Sequence, residues 1–392
     1  MKPGWQSKTL GAVCVFDKCQ GIHKHLPYVG LEQIESDTGR FIGSTEPLSV
    51  KSSTFKFSPE HLLYGRLRPY LNKVMAPEFE GHCSTEIFPI KPNAGLSREF
   101  LHYWFLRDAT VAEINATSTG ARMPRANMNA VLGFEFPLPP LPEQQRIIGI
   151  LDETLDGIAT AKTNAEKNLQ NARALFESHL QSVFTQRGEG WVEKPFSELC
   201  DIKHGFAFEG EFFSNEGDYV LLTPGNFYET GGYRDRGEKQ KYYTGEIPRD
   251  YVLNEGDLLV AMTEQAAGLL GSPIIVPESN KFLHNQRLGL VTKKPGVPWM
   301  KEFFFHVLNT QQVRKEIHDS ASGVKVRHTS PTKIGEVVVS FPNSIAEQRA
   351  IVSSLTDLAE ETQRLETIYQ QKLAALDELK KSLLHQAFSG ML

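Results

Sequence analysis

The sequence predicts an α+β protein built as two similar mixed α/β globular units, each followed by a long helix, with the two helices paired as an antiparallel coiled coil. Three observations predict it. The chain repeats itself. Short apolar runs bounded by turn residues fill the first part of each repeat. A long run with helical apolar spacing closes each repeat. The boundaries read from these features are 1–141 for the first globular unit, 142–187 for its helix, 188–345 for the second unit and 346–392 for its helix.

The duplication is an ordered series of matches, the signature of a repeat architecture. Trp5, Lys8 and Cys14 meet Trp191, Lys194 and Cys200. Tyr28-Val29 falls opposite Tyr219-Val220, and Thr38-Gly39 opposite Thr230-Gly231. Later come Glu99-Phe100 with Glu302-Phe303, Glu113-Ile114 with Glu316-Ile317, and Gly120 with Gly323. From Glu143-Gln144 and Glu347-Gln348 onward the halves align without a gap, through Ile147/Ile351, Leu151/Leu355, Leu169/Leu373, Leu175/Leu379, Leu180/Leu384 and Phe184/Phe388. The offset drifts only in the loop-rich middles.

Within each globular unit, runs such as Pro273-Ile274-Ile275-Val276 and Glu336-Val337-Val338-Val339 read as strands, and 97–115 and 299–318 as helical patches. Strand order does not follow from these runs. Pro137, Pro139, Pro140 and Pro142 end the first unit, because a proline run continues neither strand nor helix. Beyond them Ile148, Leu151, Leu155, Ile158, Ala161, Ala165, Leu169, Ala172, Phe176 and Val183 recur mostly every three or four residues. Val352, Leu355, Leu358, Leu365, Tyr369, Leu373, Leu376, Leu379, Leu383 and Ala387 do the same in the second copy. A helix of this size is on the order of 65 Å long and needs a partner for its seam. Its own duplicate is one partner; the globular unit before it is the other. A pseudo-twofold relation between the halves favours antiparallel pairing. The helical pair then acts as a ruler between the two globular units.

Composition narrows the function classes. The 392 residues are 40% hydrophobic and 23% charged, a globular balance. No apolar run reaches the roughly 18 residues of a membrane span, and the N-terminal stretch has no apolar signal core. Cys14, Cys19, Cys83 and Cys200 are too few for a disulfide scaffold. A cytoplasmic setting is expected. There is no glycine-rich phosphate loop ending in Gly-Lys-Ser/Thr and no Gly-x-Ser-x-Gly elbow. Asn-Pro-Pro-aromatic, Asp-Pro-Pro-Tyr and Pro-Asp with Glu-x-Lys runs are also missing. Cys14, Cys19, His23 and His25 have a loose zinc-like spacing, but Cys200 repeats Cys14 without the other three ligands. Cys14 and Cys200 read better as small buried residues.

The net charge of −5 hides local patterning. Residues 1–141 carry 15 basic and 13 acidic residues, whereas 188–345 carry 17 and 21. Acid-free basic stretches mark candidate phosphate- and base-binding faces. Tyr64 to Lys73 holds Arg66, Arg68 and Lys73; Asn115 to Phe134 holds Arg122 and Arg125. The duplicate of the latter, Ser320 to Gly335, holds Lys325, Arg327, His328 and Lys333. Ser279 to Lys301 adds Lys281, His284, Arg287, Lys293 and Lys294. Arginine pairs with phosphate and forks onto guanine, and Asn127, Asn129, Asn285 and Gln286 offer the amide chemistry that reads adenine. Arg66, Arg68, Lys73, Arg122, Arg125, Lys325 and Arg327, followed by Lys281 and Arg287, are the candidate DNA contacts. An ordinary solvated face is the competing reading.

Several segments carry a family resemblance. Tyr28-Val29-Gly30-Leu31-Glu32-Gln33-Ile34 with Thr38-Gly39, then Leu63-Tyr64-Gly65-Arg66-Leu67-Arg68-Pro69-Tyr70-Leu71-Asn72-Lys73, resemble segments of target recognition domains. Pro139-Pro140-Leu141-Pro142-Glu143-Gln144-Gln145-Arg146-Ile147 is similar to the lead-in to a spacer helix. Ile345-Ala346-Glu347-Gln348-Arg349-Ala350-Ile351 repeats it with Asn343-Ser344 in place of Pro-Pro. Gly256-Asp257-Leu258-Leu259-Val260 resembles the recurrent strand, but Ala261-Met262-Thr263 replaces the basic Gly-Arg-Leu-Arg. The whole chain resembles the specificity subunit of type I restriction–modification systems.

The resemblance implies a non-catalytic reader of a split, asymmetric double-stranded DNA target, each globular unit reading one half. It implies that the helices dock two methyltransferase subunits, which carry S-adenosylmethionine and flip out an adenine for N6 methylation, and that restriction subunits add ATP- and Mg-dependent cleavage. Two other readings stand beside it: a coiled-coil interaction protein without DNA readout, and a metal-dependent enzyme on Cys14, Cys19, His23 and His25.

Overall fold

The computed structural model describes residues 2–264 and 268–392. It divides into two compact units, Met1–Asn168 with Tyr369–Leu392, and Leu169–Ile368. The division cuts across both long helices, Leu141–Gln186 and Ile345–Ser389.

In the first unit, Gln6–Thr9 pairs antiparallel with Glu135–Leu138 and closes the unit's two ends against each other. A four-stranded antiparallel sheet follows in the order Cys14–Phe16, Ile87–Pro92, Leu62–Gly65, Val74–Met75. A second sheet runs Gln20–Gly21, Thr54–Phe57, Gly81–Cys83, Tyr28–Val29, its last pair parallel. The helices Arg98–Phe105 and Asp108–Ala116 occupy the expected helical patch. Ser97 caps the first of them by accepting from the Phe100 N–H.

The second unit repeats this plan. Trp191–Pro195 pairs with Val338–Pro342. The large sheet is Cys200–His204, Leu288–Lys293, Leu258–Ala261, Pro273–Ile275. The smaller sheet differs. Its order is Phe213–Ser214, Tyr242–Tyr243, Tyr219–Leu221, Phe282–Leu283, so the last two positions are exchanged relative to the first unit. Lys301–Asn309 and Gln311–Asp319 are its helices. The run Glu336–Val339 is a strand only from Val338; a short helix, Pro331–Gly335, precedes it.

Each unit contains a stretch of both long helices, antiparallel. In the first, Lys162 Nζ lies 2.6 Å from Asp377 Oδ1, and Arg146 Nη2 donates to the Leu392 carbonyl at 2.8 Å. In the second, Arg173 Nε lies 2.9 Å from Glu366 Oε2, while the indole N–H of Trp191, just beyond the first helix, donates to Glu347 at 2.9 Å. Each globular core therefore takes in side chains from the far half of the sequence. Leu384, Ala387 and Phe388 join Phe100, Trp104 and Phe136 in the first core. Phe184 packs on Phe303 in the second. The ring pairs are repeat equivalents: Phe100–Phe388 centroids are 4.7 Å apart and Phe184–Phe303 5.4 Å. Burying one such ring stabilises by about 2–3 kcal/mol.

The helical seam is narrower than spacing alone suggests. Ile147, Leu151, Ile158, Ala165, Ala172 and Leu180 are buried on the first helix, and Val352, Leu355, Thr362, Leu384, Ala387 and Phe388 on the second. Leu379, placed in the seam by its spacing, is 45% exposed, and the polar Thr362 holds a buried place. A helix of 3.6 residues per turn drifts against a seven-residue count, so a fixed heptad rotates off the contact face. No helix among the described residues is long and apolar enough to cross a membrane. The Cys14 and Cys200 thiols are buried and donate to the carbonyls of Leu10 and Phe196. Burial pushes both thiols up to about 12. Among the described residues, no three His, Cys, Asp or Glu side chains converge as metal ligands.

Candidate nucleic-acid interface

The acid-free stretches of the first unit meet in space. After the strand Leu62–Gly65 the chain continues beside the segment 117–126. The Ala126 N–H donates to Arg66 O at 2.9 Å and the Arg68 N–H to Pro124 O at 2.7 Å. Thr119 and Arg125 exchange both backbone hydrogen bonds, at 3.1 and 3.0 Å, closing a tight loop over Gly120 to Pro124. The result is a short two-stranded ribbon with Arg68 and Arg122 exposed. Arg68 sits at φ +50, a left-handed conformation costly for a side-chain-bearing residue. It launches the turn Pro69–Leu71, which leaves Tyr70 52% exposed.

Glu86 stands under this ribbon. Its carboxylate accepts from Arg66 Nε and Arg125 Nε, each at 2.9 Å, and Arg125 Nη2 is also 2.9 Å away. Burial pushes the Glu86 carboxyl up, but the two guanidinium groups outweigh it and hold it below the usual range. Arg66 also lies over the Phe88 ring, 5.5 Å from its centroid. Lys73 is committed elsewhere: its ammonium donates to the carbonyls of Leu31 at 2.6 Å and Ile34 at 2.9 Å, tying the segment 31–34 to the sheet.

The second unit builds the same ribbon from different side chains. Thr263–Glu264 pairs with Arg327–His328. The Thr329 N–H donates to Met262 O at 2.9 Å, and Ser322 and His328 exchange hydrogen bonds at 3.0 and 2.8 Å. Gly120 and Gly323 both hold φ +98. A Cβ at Gly323 would stand 2.1 Å from Val326 O, so only glycine fits that turn. Lys325 is exposed, and its neighbour Val324 is 99% exposed. Arg327 is held by His318, donating through Nη2 to its carbonyl at 2.8 Å. Glu264, buried at 3% exposure, accepts the N–H groups of Gly268, Leu269 and Leu270 at 3.0 to 3.1 Å. Lys281 pairs with Glu278 at 2.6 Å on the surface. Arg287 is exposed and makes no ion pair among the described residues.

The structure thus brings Arg66, Arg68, Arg122 and Arg125 together in one unit, and places Lys325 and Arg327 on the matching ribbon of the other. Lys281 lies outside this cluster, beside Glu278. Sequence reasoning missed Glu86 and Glu264. A search for acid-free stretches skips Glu86, the single acid that joins Arg66 to Arg125. Glu86 is 20 residues from Arg66 and 39 from Arg125, a separation with no local signature. Exposed guanidinium and ammonium groups on paired loops bond to phosphate oxygens and to the acceptors of base edges.

Known proteins resemble this chain in sequence and in fold. The model of the type I restriction modification DNA specificity domain matches residues 27–170 and again 188–374. The specificity subunit of the type I restriction enzyme EcoDI of Escherichia coli is 32% identical over 160 residues, covering 40% of this chain and 35% of that protein. The EcoBI specificity subunit of the same organism is 25% identical over 223 residues, covering 56% and 43%. The chain thus spans less than half the length of these relatives. Among solved structures, a chain described under complex assembly and conformational transition of the type I R-M system aligns with TM-score 0.81 at 20% identity, over 99% of this chain and 98% of that one. The HsdS subunit from Thermoanaerobacter tengcongensis aligns with TM-score 0.67 at 19% identity, over 100% and 98%. These two likenesses are of fold. With the family model matching both halves of the sequence, on segments that carry the duplicated ribbon, the chain belongs to the type I restriction modification DNA specificity domain family.

Proposed function

We propose that this chain is the DNA-reading and assembly subunit of a type I restriction–modification complex. The observation that carries the reading is the duplicated ribbon: one backbone design, built twice, each time presenting exposed cations from loops of a family-matched segment. Each unit reads one half of a split, asymmetric duplex sequence. Because the two ribbons carry different side chains, the two halves differ in sequence. The long helices dock two methyltransferase subunits and, where present, restriction subunits. The chain is non-catalytic: S-adenosylmethionine, ATP and Mg²⁺ bind the partner subunits, and the complex works in the cytoplasm. The net charge of −5 fits a reader whose partners supply much of the phosphate attraction.

The test is methylation-sensitive sequencing of a host genome with and without this chain, its methyltransferase subunit present in both. A bipartite adenine-methylation motif that appears only with the chain supports the reading. Methylation independent of the chain, or none with it, overturns the reading.

A further inference from the structure

The two ribbons share a backbone but carry opposite charges at one position beside it. In the first unit the N–H of Arg66 donates to Glu86 O at 2.9 Å; in the second the N–H of Met262 donates to Arg287 O at 2.9 Å. Gly65 stands opposite Ile87 in the large sheet, and Ala261 opposite Leu288. Ser84 Oγ accepts the Glu86 N–H, and Asn285 Oδ1 accepts the Arg287 N–H. Glu86 and Arg287 therefore occupy one structural position. By the same pairing Arg66 corresponds to Met262, and Arg125 to His328.

We propose that this position sets how each unit reads its half-site: Glu86 is a positioning residue that presents Arg66, and Arg287 is itself a specificity-determining contact. The inference rests on the DNA-reading function proposed above. Glu86 takes Nε of Arg66 and, among the described residues, leaves both of its terminal nitrogens unbonded, while Arg125 spends Nε and Nη2 on Glu86 and Nη1 on Met123 O at 3.3 Å. Arg66, held by Glu86 and lying over the Phe88 ring, thus keeps a planar pair of donors in a fixed place on a side chain that is 34% exposed. That fork suits the two acceptors on the major-groove edge of guanine. Fixing it before DNA arrives removes most of the side-chain entropy cost of binding. In the second unit no carboxylate fills this place. Arg287 reaches out from it directly, beside the uncharged Met262.

The assembled complex with its methyltransferase subunits tests this. Unmodified genomic DNA is methylated in vitro and the modified sites are sequenced, for wild type, Glu86→Gln, Glu86→Asp and Arg287→Ala. Glu86→Gln keeps the shape but weakens the hold on both arginines. It is expected to lower discrimination about tenfold at one position of one half-site, with binding to random DNA unchanged or tighter, because a negative charge is gone. Glu86→Asp is expected to restore part of the loss. Arg287→Ala is expected to relax one position of the other half-site by a similar factor. Unaltered motifs in Glu86→Gln and Arg287→Ala overturn the proposal, as does relaxation of the same half by both. Thermal melting of each variant separates misfolding from misreading: Glu86→Gln that loses the fold and both half-sites together assigns Glu86 a merely structural role and also overturns it. A wild-type complex that methylates without sequence preference overturns the underlying function, a result distinct from any of these.

Discussion

Gln144 and Gln348, near the starts of the two long helices, make the same three hydrogen bonds. Gln144 Oε1 accepts the Ser97 N–H at 2.8 Å, and its amide donates to the carbonyls of Gly95 and Pro139, both at 2.8 Å. Gln348 Oε1 accepts the Met300 N–H at 2.9 Å, and its amide donates to Pro298 at 2.9 Å and Pro342 at 3.0 Å. Both side chains are fully buried. Each joins three places at once: the loop before a short helix, the strand leaving the globular unit, and the long helix. The loss of Pro-Pro before the second helix is tolerated because the clamp resides in the glutamine.

Gln144→Ala removes three hydrogen bonds and strands their buried partners. A loss of about 2–4 kcal/mol is expected in chemical denaturation. The exposed neighbour Gln145→Ala is expected to cost under about 0.5 kcal/mol. Equal effects of the two substitutions would refute the clamp.

Phe388→Ala is expected to destabilise by about 3–4 kcal/mol, with the loss in the first unit, far along the sequence from most of the side chains that surround Phe388 in that core. Hydrogen exchange reads this directly. Protection around Phe100 and Trp104 falls while that around Phe303 and Phe341 holds.

His284 predicts acid sensitivity. It is fully buried, and its Nε2–H donates to Leu288 O at 2.9 Å while Nδ1 has no partner among the described residues. Burial, aided by the nearby charges of Lys203 and His204, pushes its pKa down to about 4, against the partial offset of the Leu288 hydrogen bond. The unfolded chain therefore takes up a proton near pH 6.5 that the folded chain refuses until about pH 4. The stabilisation is complete above the unfolded value and is lost as pH falls toward the folded one. One such group removes about 2 kcal/mol between pH 7 and pH 5. Denaturation at pH 7, 6 and 5 is expected to show a shallower slope for His284→Gln than for wild type.

Arg122→Ala and Lys325→Ala address the exposed ribbon cations. Removing a phosphate-binding cation from the assembled complex weakens all sequences alike and reduces the salt slope by about one; removing a base-reading side chain costs about 1–3 kcal/mol at one position. Unchanged binding to both specific and random DNA would remove these loops from the interface.

Deleting one heptad from each long helix is expected to shorten the unread spacer of the methylated motif. A spacer of the original length would show that the helices do not set it.

The periodic and repeated features were legible in the sequence. A duplication is a comparison of the chain with itself, and helical spacing is local, so both long helices and the correspondence of Gly120 with Gly323 follow without coordinates. Pairings between distant residues were not legible. The exchange of strand positions in the smaller sheets depends on how Tyr28–Val29 and Tyr219–Leu221 choose neighbours. Lys73 reads as a basic surface residue until the carbonyls of Leu31 and Ile34 are seen around its ammonium. Leu379 fits the apolar count and still faces outward, because identity and spacing do not fix which side of a helix its partner takes. The basic stretches stand out by composition; the acid that joins Arg66 to Arg125 is hidden by the same criterion.

The sharing of Leu384, Ala387 and Phe388 by the first core has a consequence for biosynthesis. When the ribosome has made residues up to Asn168, that core still lacks one wall, and all of Leu169–Ile368 must be translated before the missing side chains emerge. At typical elongation rates the nascent first unit waits roughly 10–40 s with an apolar face uncovered. Holdase chaperones have that interval in which to bind it, and a premature stop anywhere in Leu169–Ile368 yields a product whose first unit never closes.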